Sequence, residues 1–198
     1  TNSAACTSED RECFKGKELS FQRYVSVGHG DLASALEGYY KVRGIVTGQI
    51  SGRVIDFRTR KPISKMDIFV FKRPIAWQQL SNEAVATKTY AQLVAANREE
   101  SKDAVNTLGE AGAVSHFRSD IGLDEIADGS FGGPLAAGEY VFVAANRDRP
   151  PSRLVPIRVT ASGETKVTMI ASEYATVEFQ VRDNSGQGIP SKISFGHC

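Results

Sequence analysis

The sequence predicts a mainly β protein: an antiparallel β-sandwich with a helical insertion, followed by the start of a second β-module. Three observations lead there. Short runs of β-branched and aromatic residues recur between turn residues over 49–56, 66–72, 114–119, 140–145, 154–160 and 165–171. Only one connection, 73–113, is long enough to hold a crossover helix, which argues against a parallel βαβ sheet. Finally, one phrase occurs twice, as VIDFRTRKPISKMDIFVF from Val54 and VRDNSGQGIPSKISF from Val181. Each copy runs from a strand-like stretch to an Asp, through a polar turn with Pro, to Ser-Lys and a second strand-like stretch. Asp56 to Ser64 and Asp183 to Ser191 have the same spacing. Enough chain follows the first copy to finish a β-domain. Residues 173–198 are therefore expected to be the first strands of a second, similar module, truncated, with the chain as the front of a longer modular protein.

Taken in order, residues 1–17 are polar and lack periodicity, and read as an arm. Phe21, Tyr24, Val25 and Val27 favour a short strand over 19–27. Gly28-His29-Gly30 reads as a turn. Asp31 is an N-cap and Gly38 a stop for a helix of one to two turns, placing the arm at 1–38 and the sandwich at 39–172. Residues 39–46 and 49–56 alternate with β-branched side chains. In 66–72, Ile68 and Val70 share one face and Phe69 and Phe71 the other. Both faces are apolar, so this is a central strand whose outer face meets the arm or the insertion. Within the insertion, 73–113, the spacing of Tyr90, Leu93, Val94 and Asn97 predicts a helix over 85–100 and a second short one to Leu108, ended by Gly109. Short strands follow, with a Gly/Pro turn after Phe131 and turns at 147–152 and 161–164.

Composition narrows the function. The 198 residues carry a formal charge of +1, which argues against a general attraction to nucleic acid or anionic membrane. No apolar run approaches the ~20 residues of a membrane helix, and no stretch has the charged-then-apolar pattern of a signal peptide. The start, Thr1-Asn2-Ser3, is expected to be processed or engineered. Cys6 and Cys13 lie close together in the polar arm. They can form a small disulfide loop, which implies an exported protein, or remain two unrelated thiols; a zinc site needs ligands that no nearby His supplies. Cys198 closes the sequence and says little.

Candidate chemistry is sparse, and no cofactor is expected. Asp120, Asp124 and Asp128, with Glu125, are oxygen-rich enough for calcium, but they lack EF-hand spacing, and the preferred reading is a solvated turn whose Asp side chains cap their own backbone. His29, His116 and His197 are isolated, and there is no G-x-S-x-G elbow, phosphate loop or H-x-H pair. Arg147, Arg149 and Arg153 around Pro150-Pro151 form a basic loop, either a grip for an anionic partner or a solvated turn. Trp77 is the single Trp, either a stacking platform for sugar or partner, or a pin holding the insertion on the sheet.

Three motifs carry a family resemblance. They are Gly52-Arg53-Val54-Ile55-Asp56, then Asp128-Gly129-Ser130-Phe131, then Leu135-Ala136-Ala137-Gly138-Glu139-Tyr140. Together they resemble the carboxypeptidase regulatory-like, or transthyretin-like, domain over residues 49–171, from which the helical insertion departs. The resemblance implies a β-sandwich with structural motif residues: Gly129 for a turn, Phe131 for the core, Gly138 for a tight turn before Tyr140. It implies no catalytic residue. The tandem arrangement is similar to the N-terminal modules of bacterial PHP-type metal-dependent phosphoesterases, whose metal motif would lie beyond this sequence. The expected role is a non-catalytic scaffold of an exported protein that positions or stabilises a downstream domain. The alternative is a carbohydrate- or protein-binding module using the insertion and the Arg-rich loop.

Overall fold

Alternation of small or apolar residues with polar ones sets the first strand, β1 (Thr47–Asp56), in which Ile50 and Val54 point inward. The computed structural model describes residues 23–100, 112–120, 128–146, 149–171 and 180–192. Six further strands follow: β2 (Asp67–Lys72), β3 (Ala113–Arg118), β4 (Ser130–Ala136), β5 (Gly138–Ala145), β6 (Val155–Val159) and β7 (Glu164–Ala171). They form two sheets, of order β4-β1-β7 and β3-β2-β5-β6. Ile50, Val54, Ile68, Val70, Phe117, Phe131, Leu135, Phe142 and Met169 fill the space between the sheets. Phe117 stands at its centre, its ring 5.8 Å from that of Phe131 and 6.1 Å from that of Phe142.

All strand pairs are antiparallel except β1 with β7, which run parallel from Gln49↔Glu164 to Asp56↔Ala171. The antiparallel expectation thus holds with one amendment. No single helix makes that parallel connection, since the whole remaining sandwich lies between the two strands.

The helix α1 (Leu32–Arg43) is longer than its sequence suggests. Asp31 caps it as expected, Oδ1 accepting from the Ser34 N–H at 2.9 Å. It passes straight through Gly38 and stops at Gly44, whose φ of 62° closes the last turn. Gly38 serves a different purpose: a Cβ there would lie 2.7 Å from Ser26 Oγ, so the glycine admits the preceding segment. The boundary expected between 38 and 39 therefore falls inside a helix. Residues 23–28 are irregular, because β-forming side chains without a partner strand make no strand. Ala33 is fully buried in the inter-sheet core, and α1 packs on β3 and β4. It thus covers one open side of the sandwich.

The Gly/Pro turn expected after Phe131 is instead strand. Among the described residues β4 pairs only with β1, with Pro134 opposite Gln49, and an edge strand tolerates the missing donor. The insertion is helical and packed, as expected, but broken in two: α2 (Asn82–Ala86) and α3 (Tyr90–Glu100) follow a 3-10 turn at Ile75–Trp77. Thr89 makes the break. Its Oγ1 accepts from Gln92 N–H while Gln92 Oε1 accepts from Thr89 N–H, a reciprocal cap that starts a new helix. Trp77, Val85 and Leu93 bury a second apolar layer against Phe71, Val141 and Val143 on the outer face of β2 and β5. Both faces of β2 are therefore covered, as its sequence requires. The expected helix toward Leu108 lies outside the described residues.

Candidate functional site

The ends of β1, β3, β5 and β7 lie at one end of the sandwich, where Asp56, Asp128 and Gly129 sit, whereas Gly138 and Tyr140 open β5 at the other end. Asp56 ends β1. Its Oδ1 accepts from the backbone of Arg58 and Thr59, at 3.0 and 2.8 Å, and from the Thr59 hydroxyl. Its Oδ2 meets Arg149 Nη1 at 2.8 Å, with both side chains largely buried. The Thr59 N–H and then Arg149 hold the Asp56 carboxyl down to about 2. One carboxylate thus closes its own turn and fastens the β5–β6 loop to β1.

Asp128 does the same for β4. Oδ1 accepts from Ser130 N–H at 2.9 Å, and Oδ2 meets Arg53 Nη2 at 2.7 Å. Ser130, by hydroxyl and backbone N–H, and Arg53 hold the Asp128 carboxyl below its usual range. Asp120 Oδ1 accepts from Gly129 N–H at 2.8 Å. Gly129 has φ 71°, and a Cβ there would lie 2.5 Å from the Val54 carbonyl, so only glycine fits. Gly52 is needed for space: a Cβ would lie 2.3 Å from the Phe131 ring. Gly138 lies within β5 rather than in a turn, and is small because Tyr140 stacks over it, ring atoms 3.3 Å from a Cβ. The Tyr140 hydroxyl donates to the Ala136 carbonyl at 2.9 Å and pins the sharp passage from one sheet to the other. Burial, with Tyr40 adding to it, pushes that hydroxyl up to about 12.

The candidates for binding fare differently. Trp77 is buried at 8% exposure among Val85, Leu93 and Phe71, so it pins the insertion and offers no stacking platform. Arg149 is committed to Asp56, which removes it from an anion-gripping loop. Arg153 is exposed and lines a groove of about 230 Å³ with Phe57, Val155, Thr168, Ile170 and Ala171. In the calcium candidate, Asp120 and Asp128 each spend one oxygen on a backbone N–H, and the other oxygen of Asp128 meets Arg53. Among the described residues no three His, Cys, Asp or Glu side chains gather to hold a metal. Cys6, Cys13, Asp124 and Arg147 lie outside the described residues. Among the described residues no helix is long and apolar enough to cross a membrane.

Sequence reasoning missed two arginines. Arg53 points out from β1 to Asp128. Arg73 opens the insertion and holds it: Nε donates to the Trp77 carbonyl at 3.2 Å, Nη2 to that of Leu80, and Nη1 to Asn82 Oδ1 at 3.1 Å. For Arg73 the available signal is its position directly after β2; Arg53, inside β1, carries none.

The repeated phrase recurs in hydrogen bonds. In the first copy Ile63 N–H bonds the Val54 carbonyl, Arg60 N–H the Asp56 carbonyl, and Arg60 is left-handed at φ 58°. In the second, Ile189 N–H bonds the Val181 carbonyl, Gly186 N–H the Asp183 carbonyl, and Gly186 has φ 84°. Asp183 Oδ1 accepts from the Ser185 N–H and hydroxyl and from Gln187 N–H, as Asp56 does in its own turn. The second turn is one residue shorter, so equal Asp-to-Ser spacing hides a shift of register. Over 180–192 the ladder is a single bridge, Arg182↔Gly188.

No family model matches the chain, and no curated protein matches it. Among solved structures, the chain is similar to the minor pilin of Streptococcus agalactiae, at 14% identity and a TM-score of 0.37 over 70% of this chain and 49% of that one. It is also similar to a DUF3823 family protein from Parabacteroides merdae, at 12% identity and TM-score 0.36 over 69% and 51%. A third is the dioxygenase domain of a carbohydrate-binding fusion from Streptomyces sp., at 14% identity and TM-score 0.35 over 63% and 79%. The chain spans about half the length of the first of these. At such values the likenesses assign neither family nor activity.

Proposed function

We propose that this chain is a non-catalytic β-sandwich scaffold module of a larger exported protein, one that positions or stabilises a downstream domain. The observation that carries the reading is the recurrence at Asp183 of an Asp-closed turn like that of Asp56, one residue shorter, with Oδ1 again accepting from the backbone and a hydroxyl of its own turn. A turn repeated in this way fits a tandem of like modules. The commitment of Asp56, Asp128, Arg53 and Arg149 to loop closure supports it, since groups tied into ion pairs at the loop end are not poised for chemistry. The carboxypeptidase regulatory-like resemblance of the motifs points the same way, and it makes a metal-dependent phosphoesterase or peptidase the candidate downstream domain. Deleting residues 47–171 from the full-length protein tests this. The expected outcome is a lower melting temperature or secreted yield of the downstream domain, with its active-site residues intact. Turnover of phosphoesters or peptides by the isolated chain would overturn it.

The binding-module alternative loses Trp77 and Arg149, and rests on Arg153 and the exposed insertion residues Gln78 and Gln79. A glycan array probed with the isolated chain decides it.

A further inference from the structure

We infer that the groove of Phe57, Arg153, Val155, Thr168, Ile170 and Ala171 is the seat of the 181–189 hairpin of the same chain, held by an ion pair between Arg153 and Asp183. The inference rests on the modular reading and adds to it the contact that would fix one repeat against the next. Four observations carry it.

The first is continuity. Ala171 is both a wall of the groove and the last residue of β7, so the chain leaves the sandwich from within this groove. The described hairpin resumes at Gln180, and a connection of that length reaches at most ~30 Å, which keeps the hairpin at a high effective concentration. The second is apolar surface on both sides. Phe57 and Ile170 are 52% and 39% exposed on the groove, and Val181 and Ile189 are 38% and 45% exposed on the hairpin. The third is charge. Asp183 spends Oδ1 on its own turn, and the Ser185 hydroxyl and the Gln187 N–H keep the carboxyl ionised by holding it below its usual range. That leaves Oδ2 for a cation, and Arg153 presents a guanidinium at the groove. The fourth is precedent within the molecule. Asp56, in the matching turn, takes its Oδ2 partner from Arg149 on the same loop that carries Arg153.

β6 and β7 are the edge strands of their sheets on this side, and α2 packs against β6.

Hydroxyl-radical footprinting of the full chain, read at Phe57 and Ile170, tests the seat. Asp183→Asn keeps the oxygen that accepts from the turn and removes the charge. Arg153→Glu reverses the other partner. Each variant is expected to raise labelling of Phe57 and Ile170 by about two- to fivefold, the range an exposed ion pair supports. The effect of Arg153→Glu is expected to shrink in the Asp183→Asn background, as coupled partners require. Buried Phe142 serves as the unchanged reference. Unchanged labelling, or additive effects in the double variant, overturns the inference. So does protection at Phe57 and Ile170 that grows with protein concentration, which would make a second copy the occupant. Loss of the seat leaves the scaffold reading standing, whereas catalysis by the chain removes that reading and leaves the seat.

Discussion

At the scale of single residues, the motif positions act through backbone geometry and paired charge. Gly129 combines a positive φ with a Cβ position 2.5 Å from the Val54 carbonyl. Gly129→Ala is expected to cost about 1–2 kcal/mol from the left-handed conformation alone, and more from the clash. At ~2–4 °C per kcal/mol for a chain of this size, the loss is visible in a melting curve. Asp56 makes a different prediction. Its carboxyl lies at about 2 when folded, below the ordinary Asp value of 3.8. A group depressed on folding contributes its full stability above the ordinary value and loses it as pH falls through the folded one. The wild type should therefore exceed Asp56→Asn in melting temperature at neutral pH, and the gap should close between pH 3.8 and about 2. A constant gap across that window would show that the Arg149 pair contributes nothing through charge.

At the scale of elements, the insertion is the clearest test. Leu93 is fully buried between α3 and the outer face of the sheet. Leu93→Asp is expected to cost several kcal/mol, against a typical total of roughly 5–15, and to lower the melting temperature sharply. An unchanged melting temperature would mean that the insertion does not stabilise the sandwich. This layer was legible in the sequence because MDIFVFK is apolar on both faces and so requires a cover. The strands of β5, β6 and β7 were legible for a related reason: each carries a β-branched run bounded by turn residues. Other elements were not. Gly38 reads as a helix stop, yet a stop needs a positive φ and Gly44 supplies it, while Gly38 answers only to a neighbour, Ser26, that is invisible to local pattern. Pro134 reads as a turn because the edge position that tolerates it is a tertiary fact. Trp77 reads as a stacking platform or a pin, and Arg149 as an anion grip or part of a solvated turn. Only the contacts with Leu93 and Asp56 decide their roles, and both are long-range in sequence.

At the scale of the whole molecule, the reading as an exported module predicts a Cys6–Cys13 disulfide, which non-reducing mass spectrometry of natively secreted protein should show as one bridged peptide. Two freely alkylated thiols would sink it. The parallel pairing of β1 with β7 has a mechanical consequence. The chain enters β1 at Thr47 and leaves β7 at Ala171, at opposite ends of two adjacent strands that run the same way. Tension along the polypeptide would first draw on the flanking segments. Thereafter it would pull these strands past each other lengthwise. Every hydrogen bond from Gln49↔Glu164 to Asp56↔Ala171 would then bear the load together, instead of parting one at a time as in a hairpin pulled at its open end. A sandwich wired in this way passes force from whatever precedes it to whatever follows while keeping its shape, as a link in a tethered array must.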